Sequence, residues 1–241
     1  LLKSPIPDMP ALRHGLSAGE KLPESVRNAW VEATGTPIHE AYGMSECSTF
    51  ISGSPSHPAP PKTLGYPQPG RRIALRENGA EADHGTICIH KSDPGLMLGY
   101  LGHADETAAR FDGDWFKTGD VGSRLPDGAI RYEGRDDDMM NAGGYRVSPI
   151  EVENALTQHP GIDEAAAAEV TVKADTTVIA AFYTGPADLD AAELAAFAAE
   201  RLARYKCPRI YVRADALPRG ANNKLLRKVL RQNWEATHGQ A

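Results

Sequence analysis

Apolar residues recur along this chain in two rhythms, one helical and one alternating. Between Pro23 and Thr34 the spacing is helical, with Val26, Trp30 and Ala33 on one stripe. Thr36-Pro-Ile-His-Glu-Ala is short and strand-like and leads into Tyr42-Gly43, so residues 1–50 read as a short α/β remnant. Six prolines among few large apolar residues mark 53–70 as loop. From 71 to 135 the pattern is mostly β. Ile87 and Ile89 alternate with Thr86, Cys88 and His90, and Ile130 and Tyr132 alternate after a turn at Pro126-Asp-Gly128. A small twisted sheet or barrel is expected over 51–136.

The run Asp136-Asp137-Asp138 interrupts this pattern, and a second unit, 137–241, is expected beyond it. Ser148-Pro149-Ile150-Glu151 is a capping box with proline at the first helical position. It opens a helix with Val152, Ala155, Leu156 and His159 on one face, closed by Pro160-Gly161. Strands are predicted around 163–172 and 177–183. A helix begins at Asp190, with Leu194, Phe197, Leu202 and Tyr205 as its stripe; a short strand follows at Ile210, and a closing helix runs from Lys224 to Trp234. This mixture predicts a small α+β domain.

Composition narrows the class without naming a chemistry. The 241 residues are 41% hydrophobic and 24% charged, ordinary for a folded soluble protein. A net charge of −6 gives no basic surplus for nucleic acid, and no apolar run approaches a membrane span. Cys47, Cys88 and Cys207 are far apart and form no CxxC pair, so they read as buried or half-buried thiols of a reducing cytoplasm. The start at Leu1-Leu2-Lys3 is neither an initiator Met nor a signal peptide, and a piece of a longer chain is expected.

Five segments, in order, resemble the adenylate-forming superfamily of acyl-CoA synthetases, luciferases and peptide-synthetase adenylation domains. They are Tyr42-Gly43-Met44-Ser45-Glu46, Gly85 to Tyr100, Trp115 to Asp120, Gly134 to Glu153, and Pro218 to Lys224. The resemblance implies the C-terminal part of such an enzyme: an α/β remnant, a small β subdomain, then an α+β domain with its hinge at 136–138. Family members join a carboxylate to AMP, releasing pyrophosphate, then rotate the C-terminal domain and pass the acyl group to a thiol. ATP/AMP, Mg²⁺ and coenzyme A are the implied cofactors, a carboxylic acid and coenzyme A the implied partners, with no nucleic acid and no membrane, in the cytoplasm. Gly144 to Glu153 and Tyr205-Lys-Cys-Pro-Arg209 resemble the benzoate and short- or medium-chain branch.

The same resemblance assigns roles, each beside a plainer reading. Glu46 is the implied Mg²⁺ ligand, since Mg²⁺ prefers hard oxygens; alone it is a solvated loop residue. Ser45 keeps a hydroxyl for the α-phosphate, and Gly19-Glu20 resembles the segment lying against adenine. Asp120 matches the acid that takes both ribose hydroxyls, a geometry one carboxylate can serve; otherwise it ends a strand. Arg135 reaches the ribose or phosphate, and Tyr132 packs on the adenine side or in a core. Asp137 matches the hinge, with a solvated acidic loop as the compatible alternative. Gly143 and Gly144 lie in a loop resembling the one that lines the pantetheine tunnel, where the resemblance brings Arg146 to the AMP or coenzyme A phosphate, although a tight hairpin also explains the glycines. Lys224 matches the lysine that stabilises charge during adenylation; otherwise it joins Arg227, Lys228 and Arg231 as a basic helix surface. Asn223 stands where the family has Gly.

The family's Ser/Thr/Gly-rich loop for the β- and γ-phosphates has no counterpart in these residues. The expectation is a truncated, inactive part of a carboxylate–CoA ligase. An adenylation domain loading a carrier protein, or a non-catalytic nucleotide-binding fragment, are the alternatives; an end soon after Lys224 favours coenzyme A.

Overall fold

In the computed structural model the described residues are 6–19, 22, 24–173, 176–220 and 224–238. They fall into two units, divided between Tyr132 and Glu133.

The first unit begins with β1 (Gly15–Ala18), α1 (Glu24–Thr34), β2 (Ile38–Met44), β3 (Ser48–Ser52) and β4 (Tyr66–Pro67). These strands form one sheet in the order β1-β2-β3-β4, parallel between β1 and β2 and antiparallel thereafter. The second sheet uses β5 (Ile73–Glu77), β6 (Ala80–Glu81) and β7 (His84–His90); after α2 (Ala104–Ala109) come β8 (Phe111–Asp112), β9 (Trp115–Arg124) and β10 (Ile130–Arg135). Its order is β10-β9-β7-β5-β6, with β8 paired to β9. One apolar cluster joins the two sheets: Cys47, Phe50 and Ile51 pack with Leu75, Ile87, Ile89 and Ile130. The core thus runs straight across residue 50, because burying the alternating face of β7 requires the apolar side of β3.

Two expectations change here. Cys88, predicted opposite Ile87 and Ile89, is as buried as they are, because both faces of β7 are covered. Of the predicted α1 stripe, Val26 and Ala33 are exposed and Trp30 is half-buried, with its ring against Gly15.

The second unit takes in the last residues of β10, then a 3₁₀ turn at Asp136–Asp138 and the hairpin β11 (Met140–Ala142) and β12 (Tyr145–Val147). The central sheet is β13 (Glu164–Lys173), β14 (Thr176–Thr184) and β15 (Ile210–Arg213), antiparallel then parallel. Helix α3 (Pro149–Leu156), α4 (Ala191–Ala199) and α5 (Arg227–His238) complete it. Odd positions Ala167, Ile179, Ala181 and Tyr183 share a core with Val152, Leu156 and Leu194, while even positions Ala166, Ala168, Ala180 and Phe182 pack with Leu217 and Leu230. The sheet is buried on both faces, which explains its unbroken apolar run.

Ser148 caps α3 by accepting from Glu151 N at 3.3 Å, with Pro149 first in the helix. The carboxylate of Glu151 takes Lys206 Nζ at 2.7 Å instead of closing a capping box. His159 lies beyond α3, and Leu202 and Tyr205 lie beyond α4, whose alanine-rich helix ends at Ala199. The last helix starts at Arg227, three residues after Lys224, because the Lys224 carbonyl is committed to Gly220 N at 2.8 Å.

Candidate functional site

In the first unit, residues far apart in sequence meet at one carboxylate. Tyr42 leaves β2 and Asp120 lies within β9; the Tyr42 hydroxyl donates to Asp120 Oδ2. The Tyr132 hydroxyl, from β10, donates to Asp120 Oδ1 at 3.3 Å. The two phenol rings lie 5.9 Å apart, and Tyr42 meets Phe50 edge-on at 5.1 Å. Burial, and then the facing Asp120 charge, push the Tyr42 phenol well above its ordinary range. Asp120 itself is only 7% exposed. A carboxylate offers about four acceptor sites, so one side chain can serve several donors at once.

The turn after Tyr42 is tight. A Cβ on Gly43 would lie 2.1 Å from the Ser48 carbonyl oxygen, so only glycine fits beside β3. Ser48 takes a left-handed φ of 58°, and Cys47 N closes the turn on Met44 O at 3.1 Å. Ser45 is exposed on this turn and Glu46 half-buried. Glu46 Oε1 accepts the Tyr100 hydroxyl at 2.8 Å; among the described residues Oε2 accepts no hydrogen bond. No group of three His, Cys, Asp or Glu side chains that could hold a metal occurs among the described residues. A lone carboxylate such as Glu46 suits Mg²⁺, which takes one or two carboxylates and completes its shell with phosphate and water. Gly19 ends the parallel neighbour of β2 with φ of 97°. Glu20, expected against adenine, lies outside the described residues.

The second unit holds the other expected residues. Each aspartate of 136–138 faces an arginine: Arg146 Nη2 on Asp136 Oδ1 at 2.6 Å, Arg135 Nε near Asp137 Oδ1 at 3.5 Å, and Arg227 Nη1 on Asp138 Oδ2 at 3.0 Å. Arg135, expected at ribose or phosphate, here faces its own strand's continuation. Gly143 and Gly144 form the two-residue turn of the β11–β12 hairpin with φ of 60° and 89°, the paired positive values a primed turn requires. A Cβ on either would meet nothing within 4 Å. Lys224 is exposed, and its ammonium has no carboxylate partner among the described residues. Asn223 lies outside them.

The AMP-binding enzyme model matches residues 1–101, and the AMP-binding enzyme C-terminal domain model matches 151–224. The chain belongs to the AMP-binding enzyme family. Lys224 is the final residue of the second match. Among curated relatives of this family, the chain is 35% identical over 199 residues to a 2-succinylbenzoate–CoA ligase of Bacillus licheniformis, covering 80% of this chain and 41% of the relative. It is 34% identical over 243 residues to a long-chain-fatty-acid–CoA ligase of Bacillus subtilis, covering 96% of this chain and 42% of that one. A solved AMP-binding enzyme, the o-succinylbenzoate–CoA synthetase of Bacillus subtilis with ATP and magnesium, superposes with a TM-score of 0.77 at 30% identity, over 94% of this chain and 48% of its own. The chain thus spans less than half the length of these relatives.

Three side chains escaped the sequence reading. Tyr100 ends a recognised segment but carried no assignment. Arg71 sits in a basic pair that nothing marks as special, and Arg227 looked like part of a solvated face. Only Arg227 had a usable signal, since it falls in line with Leu230 and Trp234 at helical spacing.

Proposed function

We propose that these residues are the C-terminal part of a longer ATP-dependent carboxylate–CoA ligase of the benzoate or short- and medium-chain kind, working in the cytoplasm. The observation that carries the reading is Asp120, a nearly buried carboxylate oriented by two tyrosine hydroxyls beside the Tyr42–Glu46 turn. In the first step a carboxylate oxygen attacks the α-phosphorus of ATP and pyrophosphate leaves. In the second, a coenzyme A thiol attacks the acyl carbon and AMP leaves.

Asp120 accepts the ribose hydroxyls, with Tyr42 and Tyr132 fixing its plane and Gly19-Glu20 lining the adenine side. The Glu46 carboxylate would hold Mg²⁺, which would neutralise phosphate charge; Ser45 donates to the α-phosphate. Arg135 leaves its long contact with Asp137 to reach ribose or phosphate. Lys224, an exposed ammonium, stabilises the charge that grows in the adenylation transition state. Gly143, Gly144 and Arg146 line the pantetheine path, which the open space beside both glycines supports. Asp137 is the pivot: its side chain is 80% exposed, so no core is disturbed when its backbone turns.

Lys224→Ala in the full-length enzyme tests this. Pyrophosphate exchange with benzoate or a short-chain acid is expected to fall about 10²–10³-fold, while thioester formation from supplied acyl-AMP persists. A variant that adenylates at the normal rate removes Lys224 from the chemistry.

A further inference from the structure

The Glu46 turn is held in place by a buried ion pair that has no assigned role. Arg71 Nη1 donates to Thr49 O at 2.6 Å and Nη2 to Cys47 O at 2.6 Å, the carbonyls on either side of left-handed Ser48. Its Nε lies 2.9 Å from Asp93 Oδ1 and 3.1 Å from Oδ2. The Asp93 side chain is fully buried and that of Arg71 nearly so. Asp93 also accepts Arg72 N at 2.7 Å and Gly95 N at 2.9 Å. Burial alone would raise its carboxyl, but these backbone donors and Arg71 hold it below the usual range. The loop that Asp93 shapes then donates Met97 N to Glu46 O at 2.7 Å and ends at Tyr100, whose hydroxyl holds the Glu46 carboxylate.

One guanidinium and one carboxylate therefore tie together the two loops that carry Glu46 and its tyrosine. The fit is close. A Cβ on Gly95 would fall 2.6–2.8 Å from three atoms of the Arg71 guanidinium, which its hydrogen bonds prevent from moving aside. Lysine cannot replace this geometry, because a point charge lacks the fork that spans two carbonyls and a carboxylate.

We infer that Arg71 and Asp93 are positioning residues that set the Glu46 carboxylate, through Tyr100, in the orientation that receives a divalent cation. The inference rests on the metal role proposed for Glu46. Its consequence is that metal affinity depends on a guanidinium that never touches the metal, as outer partners of metal ligands commonly do.

The test compares full-length Glu46→Gln, Arg71→Lys and Gly95→Ala variants. Mn²⁺ binding in the presence of ATP is read by electron paramagnetic resonance, alongside amide exchange over 44–49 and 97–101. All three variants are expected to weaken Mn²⁺ about ten-fold or more, and Arg71→Lys added to Glu46→Gln is expected to weaken it little further. Pyrophosphate exchange by Arg71→Lys is expected to recover at high Mg²⁺. Gly95→Ala keeps every charge and is expected to speed exchange in both segments. If Glu46→Gln weakens Mn²⁺ while Arg71→Lys and Gly95→Ala bind normally, the positioning role is wrong and the metal assignment stands. If Glu46→Gln itself binds normally, the metal assignment fails and takes the positioning role with it.

Discussion

Cys47 and Cys88 are 0% and 1% exposed, and burial lifts their thiols to about 12 and about 11 from an ordinary 9.0. In the unfolded chain they ionise near that ordinary value. A folded pKa above the unfolded one means the stabilisation is complete below pH 9 and is lost as pH rises through 11 and 12. Each thiol contributes a slope of about 1.4 kcal/mol per pH unit in that window. Urea midpoints taken from pH 8 to 10.5 in reductant should therefore fall, and fall less steeply in the Cys47→Ala/Cys88→Ala double variant. Equal slopes would mean that the thiols ionise normally in the fold. The burial of these residues was legible from their number and separation. The bond between Tyr42 and Asp120 was not, since each residue alone reads as an ordinary strand or turn position.

Helix α5 shows where element-scale reading stops. Lys224, Arg227, Lys228 and Arg231 look like one basic face, yet Arg227 turns inward, its Nε and Nη2 on Glu153 of α3 at 2.9 and 2.8 Å. Glu153 Oε1 also accepts Ala167 N of β13 at 2.9 Å, so one ion pair joins two helices and the central sheet. Both side chains are 13% exposed. Burial opposes the Arg227 charge, but Glu153 and Asp138 more than offset it and raise its pKa. Arg227→Met leaves two acids without their partner and is expected to cost about 3–5 kcal/mol. Adding Glu153→Met should restore part of that by removing one of the two unpartnered acids, the rest staying lost because Asp138 keeps no partner and Ala167 N loses its acceptor. Chemical denaturation checks both; an Arg227→Met variant as stable as wild type would reduce the pair to a surface contact.

At the scale of the molecule, the described residues include the nearly buried carboxylate of Asp120, the half-buried carboxylate of Glu46 and the exposed Lys224, and no described helix is long and apolar enough to cross a membrane. The 241 residues hold no Gly-rich segment to grip the leaving phosphates. Positioning supplies much of the catalysis in phosphoryl-type transfer. Leu98 and Leu101, flanking Tyr100, are fully exposed in these residues. Expressed alone, the 241-residue chain is expected to bind AMP weakly and to give no pyrophosphate exchange with benzoate, short-chain or medium-chain acids. Calorimetry and an exchange assay check the two parts. Robust exchange by this polypeptide would show that the phosphate grip lies within it.

What the sequence determined by itself was local. The Ser148-Pro149 helix start, the Gly143-Gly144 turn, the alternation of β7 and the Tyr42–Glu46 signature are each written within a few neighbouring residues, where backbone preference and spacing act directly. The tertiary structure decided which distant groups meet. Tyr42 and Asp120 are 78 residues apart, Arg227 and Glu153 are 74, and Arg71 and Asp93 are 22. No periodicity encodes such partners, because a charge is committed to an opposite charge only when folding removes both from water. The sequence therefore named the acids and bases, and the fold chose which of them are committed to one another.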